Sequence, residues 1–207
     1  MPSKKNFATE VAAIAMIALF SVFPAAAATV DLANPAFAQT AGRTSIPIGH
    51  SEFCKSHPAE CGKNRNLVEV EELTEDRWQR LVAVNVEMNR TIVPVTDEDL
   101  YKVEELWTYP DGYGDCEDYA LAKRRALIDG GWDASTLLIA VVRQKSGDGH
   151  AVLMVRTDRG DLVLDNQDGS IRLWNETPYQ YLKRQSQANA GQWVDILDDR
   201  VVKVAQK

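Results

Sequence analysis

"YGDCEDYALAKRRALIDGG", residues 113–131, sets a thiol among carboxylates: Cys116 stands between Asp115 and Glu117, with Asp118 next. A cysteine buried for packing has apolar neighbours. One that reacts usually has positive charge around it, because the thiolate is the reactive form. Cys116 has neither. The stretch itself reads as a helix. Asp115 suits the N-cap, and acids in the first turn suit the helix dipole. Tyr119, Ala120, Ala126 and Leu127 give a buried stripe, and Gly130-Gly131 ends the helix. Cys116 therefore falls in the first turn, where free N–H groups favour a thiolate.

Upstream, the pattern predicts a helix from Thr74 to about Asn89, with Trp78, Leu81, Val82, Asn85 and Met88 on one face and Thr74 as its cap. A second helical stretch is expected from Asp97 to Trp107, with Leu100, Val103 and Trp107 on one side. "TYPDGYG" (108–114) is a loop, punctuated by Pro and Gly. Downstream the period changes. "TLLIAVVR" (136–143), "HAVLMVR" (150–156) and "DLVLDN" (161–166) read as strands, the last two joined by a hairpin at "TDRG". "SIRLWN" (170–175) and "QWVDIL" (192–197) read as further strands. Helices followed by an antiparallel sheet make an α+β fold.

The chain has 207 residues and a formal net charge of −7. The acidic balance argues against a nucleic-acid partner, which needs a basic patch. The N-terminus has the layout of a secretory signal peptide: Lys4 and Lys5, an apolar core from Val11 to Phe23, then A-x-A sites ending near Ala27 or Ala28, or at Ala38. The apolar core is short for a membrane span, and no later stretch is long and apolar enough to be one. The expected organisation is a signal peptide over 1–38, a polar linker over 39–50 and one domain over 51–207, exported to the periplasm.

Export implies an oxidising compartment, where cysteines pair. In "FCKSHPAEC" (53–61), Cys54 and Cys61 are the natural pair, and the bridge would contribute roughly 2–3 kcal/mol by loop entropy. A zinc site made by His50, Cys54, His57 and Cys61 is the rival, although its spacing matches none of the standard structural motifs. Either way Cys116 is left over, and an odd cysteine in an exported protein suggests a reactive thiol.

His150 opens one strand of the hairpin and Asp165 closes its partner, so the two ends lie opposite or diagonally adjacent. A carboxylate there fixes the imidazole tautomer. If the sheet packs on the start of the Cys116 helix, the three residues form nucleophile, base and orienter. Each also has a plainer reading: a small packing cysteine, a loop histidine, and an aspartate opening a turn.

The chain resembles the bacterial transglutaminase-like cysteine peptidases. The matching pieces are "FCKSHPAEC", "VNVEMNRTIVPVTD" (84–97), "ELWTYPDGYGDCEDYALAKRRALIDGG" (105–131), "GHAVLMVRTDRGDLVLDN" (149–166) and "YQYLKRQSQANAGQW" (179–193). The resemblance implies a papain/transglutaminase-like core, with N-terminal helices packed on an antiparallel sheet. It also implies that Cys116 is the nucleophile, His150 the general base and Asp165 the orienter. One branch of the family comprises calcium-dependent periplasmic proteases that clip adhesins from the cell surface, and Asp115 and Glu117 match its metal-binding acids. Asp118 is a further candidate. Carboxylates suit Ca²⁺, although three fall short of the six to eight oxygens it prefers. The resemblance thus implies a protein substrate such as a surface adhesin, and a membrane-bound regulatory receptor as partner. Two other readings stand beside hydrolysis: transglutaminase or deamidase acyl transfer by the same triad, and a non-enzymatic calcium-dependent binding module.

Overall fold

"LLIAVV" and "AVLMV" are apolar at every position, so a sheet built from them must be covered on both faces. The computed structural model, which describes residues 32–200, satisfies that demand. Its elements in chain order are β1 (Thr40–Thr44), α1 (Ile48–Ser56), α2 (Glu75–Thr91), β2 (Val93–Pro94), α3 (Asp97–Tyr101), β3 (Tyr113–Gly114), α4 (Cys116–Asp129), β4 (Leu137–Arg143), β5 (Gly149–Thr157), β6 (Gly160–Leu164), β7 (Arg172–Leu173), β8 (Gln180–Ser186) and β9 (Asn189–Ile196). Seven strands form an antiparallel sheet in the order β1-β9-β8-β4-β5-β6-β7. β2 and β3 make a small parallel pair. This is the expected α+β architecture.

α4 lies on one face of the sheet. Leu121 and Leu127 pack there with Leu81 of α2, Leu137, Ile139, Leu153, Val155 and Trp193. The other face buries Ala140, Val142, Val152, Met154, Val163, Tyr181 and Ile196. Leu153 at the sheet centre is 0% exposed, and truncation of such a residue to Ala costs about 2–5 kcal/mol. No helix among the described residues is long and apolar enough to cross a membrane.

The helix expected from Thr74 runs from Glu75 to Thr91 and has its cap: the Thr74 side chain accepts from Arg77 N–H. The helix expected over Asp97–Trp107 stops at Tyr101, because Lys102 is left-handed (φ 62°). Trp107 leaves that helix to pack edge-on against His50 and Trp193. The strand expected over 170–175 shrinks to Arg172–Leu173 and runs into a 3₁₀ turn, Trp174–Glu176. The stretch read as a linker, 39–50, instead carries edge strand β1 and opens α1. β1 is polar and largely exposed, so no alternation marks it. Of the expected signal peptide, residues 1–31 lie outside the described residues.

Cys54 and Cys61 are joined by a disulfide, with Cα atoms 5.5 Å apart. His50, the nearest rival zinc ligand, is a core residue. Trp193 Nε1 donates to its Nδ1 at 3.1 Å, and the Gln185 amide lies 3.1 Å from its Nε2. Burial, with Arg124 adding to it, lowers the pKa of His50 to about 4, so the ring is neutral.

Candidate active site

The hairpin register places the histidine and the carboxylate. Leu153 of β5 pairs with Leu164 of β6, so His150 and Asp165 are diagonal neighbours across the ladder. Their side chains meet: His150 Nε2 lies 2.8 Å from Asp165 Oδ1. The imidazole therefore turns its Nδ1 away from the carboxylate, and the Gln167 amide approaches that nitrogen at 3.4 Å. His150 is 3% exposed and so is Asp165. Burial works to raise the Asp165 carboxyl. Hydrogen bonds from His150, the Tyr179 hydroxyl and Gln167 N–H outweigh it, and hold the group below its usual range. Asn89 on α2 donates to the Asp165 carbonyl at 2.8 Å and pins the chain just past β6.

Cys116 opens α4 and is the free cysteine. Its Sγ accepts from Ala151 N–H at 3.4 Å, so the sheet meets the helix start one residue past His150. On its other side the thiol donates to Glu117 Oε2 at 3.2 Å. Burial first, and the Glu117 charge second, push the Cys116 pKa well above the ordinary thiol range. Glu117 is itself raised, by burial and by its contact with Asp115.

Asp115 holds the N-cap position, yet its side chain caps nothing. It turns instead into two carboxylate groupings whose ligand atoms all lie within 4.8 Å of one another: Asp115 with Cys116 and Glu117, and Asp115 with Asp97 and Asp118. Asp97 opens α3 and is absent from the residues singled out in the sequence. It accepts from Leu106 N–H, while Asp118 Oδ1 accepts from Thr108 N–H at 2.8 Å. The two acids thus tie residues 106–108 to the start of α4. Asp115 Oδ1, Glu117 Oε1 and Asp118 Oδ2 are buried without a hydrogen-bond partner. Burial, then neighbouring carboxylates, raise the pKa of Asp118 to about 7. Burial likewise raises Asp97. Buried carboxylate oxygens that meet no cationic side chain among the described residues fit a hard divalent ion.

Four contributors to the site were not read from the sequence. Asp97, Gln167 and Tyr179 reach it through loops and turns, and the Ala151 amide is visible only in the backbone. Asp97 lay in plain view as an acid after Thr96, where capping explains it fully.

The profile of the bacterial transglutaminase-like cysteine proteinase (BTLCP) family matches residues 40–201. No curated protein matches the chain. Among solved structures, calcium-bound LapG of Legionella pneumophila is 24% identical, with a TM-score of 0.50, and the match covers 71% of this chain and 88% of LapG. EGTA-treated LapG is 25% identical, with a TM-score of 0.49, covering 61% of this chain and 75% of that one. The family match spans most of the molecule, including the helix that begins at Cys116 and the β5–β6 hairpin; the chain belongs to the bacterial transglutaminase-like cysteine proteinases, and it is a cysteine peptidase.

Proposed function

We propose that the chain is an exported, periplasmic cysteine endopeptidase with Cys116 as nucleophile, His150 as general base and Asp165 as orienter. The observation that carries this reading is the contact between His150 Nε2 and Asp165 Oδ1, which leaves Nδ1 for a thiol held beside Ala151 N–H. Cys116 gives its proton to His150 as Sγ attacks the substrate carbonyl. Asp165, kept ionised by its hydrogen bonds, steadies the imidazolium. The Cys116 backbone N–H, at the start of α4, faces the developing oxyanion. His150 returns the proton to the leaving amine, and water then opens the thioester.

The environment of Cys116 resists the thiolate, since burial and acids both oppose it. Asp97, Asp115, Glu117 and Asp118 are the residues that would hold Ca²⁺. Bound there, the ion supplies the positive charge that Asp115, Glu117 and Asp118 lack, so that their repulsion no longer falls on the sulfur. The calcium-bound form of LapG, similar in fold, supports the choice of ion. The chemistry of proton and acyl transfer stays with the triad.

By family resemblance the substrate is a periplasmic or surface protein such as an adhesin, and a membrane receptor regulates access to it. The test compares the periplasmic and surface proteomes of cells carrying wild-type and Cys116→Ala protein. A cleaved surface protein seen only with wild type supports the reading. Products bearing new isopeptide bonds or deamidated glutamine would instead assign acyl transfer or deamidation. An unreactive thiol at neutral pH in calcium would favour a binding module.

A further inference from the structure

Strand β8 carries a buried guanidinium that forms no ion pair of its own among the described residues. We propose that Arg184 heads a pocket for an organic oxyanion, a small carboxylate or phosphate with an apolar body. Arg184 lies on β8, paired with Ala140 of β4 and Val194 of β9. It is 4% exposed. Its Nη1 donates to the Gln185 carbonyl at 2.9 Å, and its Nε has no partner. The carboxylate that could neutralise it, Asp161, is already taken. Arg156 grips both its oxygens through Nε at 2.8 Å and Nη2 at 2.9 Å, and Ala38 N–H adds a third donor at 2.8 Å. Two arginines therefore share one buried carboxylate. Burial, with Arg156 next, lowers Arg184 to about 10, so it is still charged at neutral pH. Arginine cannot shed its charge to escape burial as lysine can, and an uncompensated buried charge is costly.

The side chain lines a cavity of about 450 Å³ together with Thr40, Ser186, Leu67 and Val194. That volume suits a small molecule and exceeds what a bare oxyanion fills. The Thr40 and Ser186 hydroxyls on the same lining can donate to an anionic head, and Leu67 and Val194 offer an apolar wall. Glu69 also lines the cavity, with its side chain exposed to solvent. Gln187 on the cavity wall accepts from Arg156 Nη1 at 2.8 Å, and Arg156 lies six residues along β5 from His150, so the cavity opens towards the far end of that strand and shares no lining residue with the thiol site.

The experiment titrates the purified protein with benzoate, phenyl phosphate and neutral benzyl alcohol, by calorimetry and by thermal shift. At least one anion should bind and raise the melting temperature, and benzyl alcohol should not. Benzoate binding alone assigns a carboxylate ligand; phenyl phosphate alone assigns a phosphate. Arg184→Met should weaken binding at least tenfold while leaving the unliganded protein as stable as wild type or more so. Leu67→Asp keeps Arg184 and places a negative charge at the mouth. It should also weaken binding at least tenfold, and it decides the matter if Arg184→Met fails to fold. No binding of either anion, equal binding of benzyl alcohol, or unchanged affinity in the folded variants overturns the proposal.

Discussion

The Tyr179 hydroxyl donates to Asp165 Oδ2, the oxygen left over when Oδ1 faces His150. Each carboxylate oxygen thus has its own partner, and the pair holds the acid below its ordinary pKa despite burial. Such a group contributes stability that is complete above its unfolded value, about 3.9, and is lost as pH falls through the lower folded value. Tyr179→Phe removes one donor and leaves Oδ2 buried. The variant should lose about 1–3 kcal/mol at neutral pH, and its acid unfolding should begin at higher pH than in wild type. Urea unfolding measured across the acid range checks both. Coincident acid limbs would show that the hydroxyl is only packed there.

Cys116→Ser should lower turnover at least roughly a thousandfold with little change in melting temperature, since a hydroxyl replaces a thiol of similar size. Initial rates on a peptide library, read alongside thermal melts, separate the chemistry from the fold. Substantial residual activity in the purified variant would remove Cys116 from the nucleophile's role.

Chelation should lower melting temperature and peptidase rate together, and added Ca²⁺ should restore both. Asp97→Asn and Asp118→Asn should blunt this response, because both residues also fasten the 106–108 segment to α4. Calorimetry on the chelated protein gives the affinity directly. Identical melts and rates in chelator and in calcium would leave these acids as structural braces only.

Without reductant, thiol titration should find one free thiol per chain, Cys116. Replacing Cys54 and Cys61 together with serine should cost about 2–3 kcal/mol, from the chain entropy of a short loop. Denaturant midpoints of the two proteins measure it. No change in midpoint would mean that helix α1 holds without its bridge.

Much of this molecule can be read from its sequence because its central elements obey simple periods. α4 announces itself by its stripe and its Gly130-Gly131 stop, and β4 to β6 by apolar runs and a tight turn. The hairpin at 157–160 brings the His150 and Asp165 ends opposite or diagonal to one another, and the register of β5 on β6 makes them diagonal. What escaped notice lies where side chains defy their surroundings. β8, "QYLKRQS", buries Tyr181, Arg184 and Gln185 in a central strand, and its polar residues hide it from any apolar pattern. β1 is an edge strand that needs only backbone partners. Asp97 and Tyr179 join the site through folding of distant segments, and no local rule links them to Cys116.

If the chain is exported as proposed, the segment just before β1 bears on where its leader would be cut. The Ala36 carbonyl accepts from Asp161 N–H at 2.8 Å, Phe37 lies under the Arg156 guanidinium, and Ala38 is 3% exposed. Gly160 has no room for a side chain, since a Cβ there would sit 2.7 Å from the Ala36 backbone. Ala36-Phe37-Ala38 is also one of the A-x-A sequences that a signal peptidase could cut. Cleavage after Ala38 would strip Asp161 N–H of its acceptor and set a new ammonium at Gln39, on the threshold of the Arg184 cavity. Cleavage at Ala27 or Ala28 keeps the strap in place. On the proposed reading of an exported chain, the two cleavage choices would give products differing by about 1–3 kcal/mol for the stranded amide. Intact mass of the exported protein should report the longer one, with its latch still closed over the β5–β6 turn.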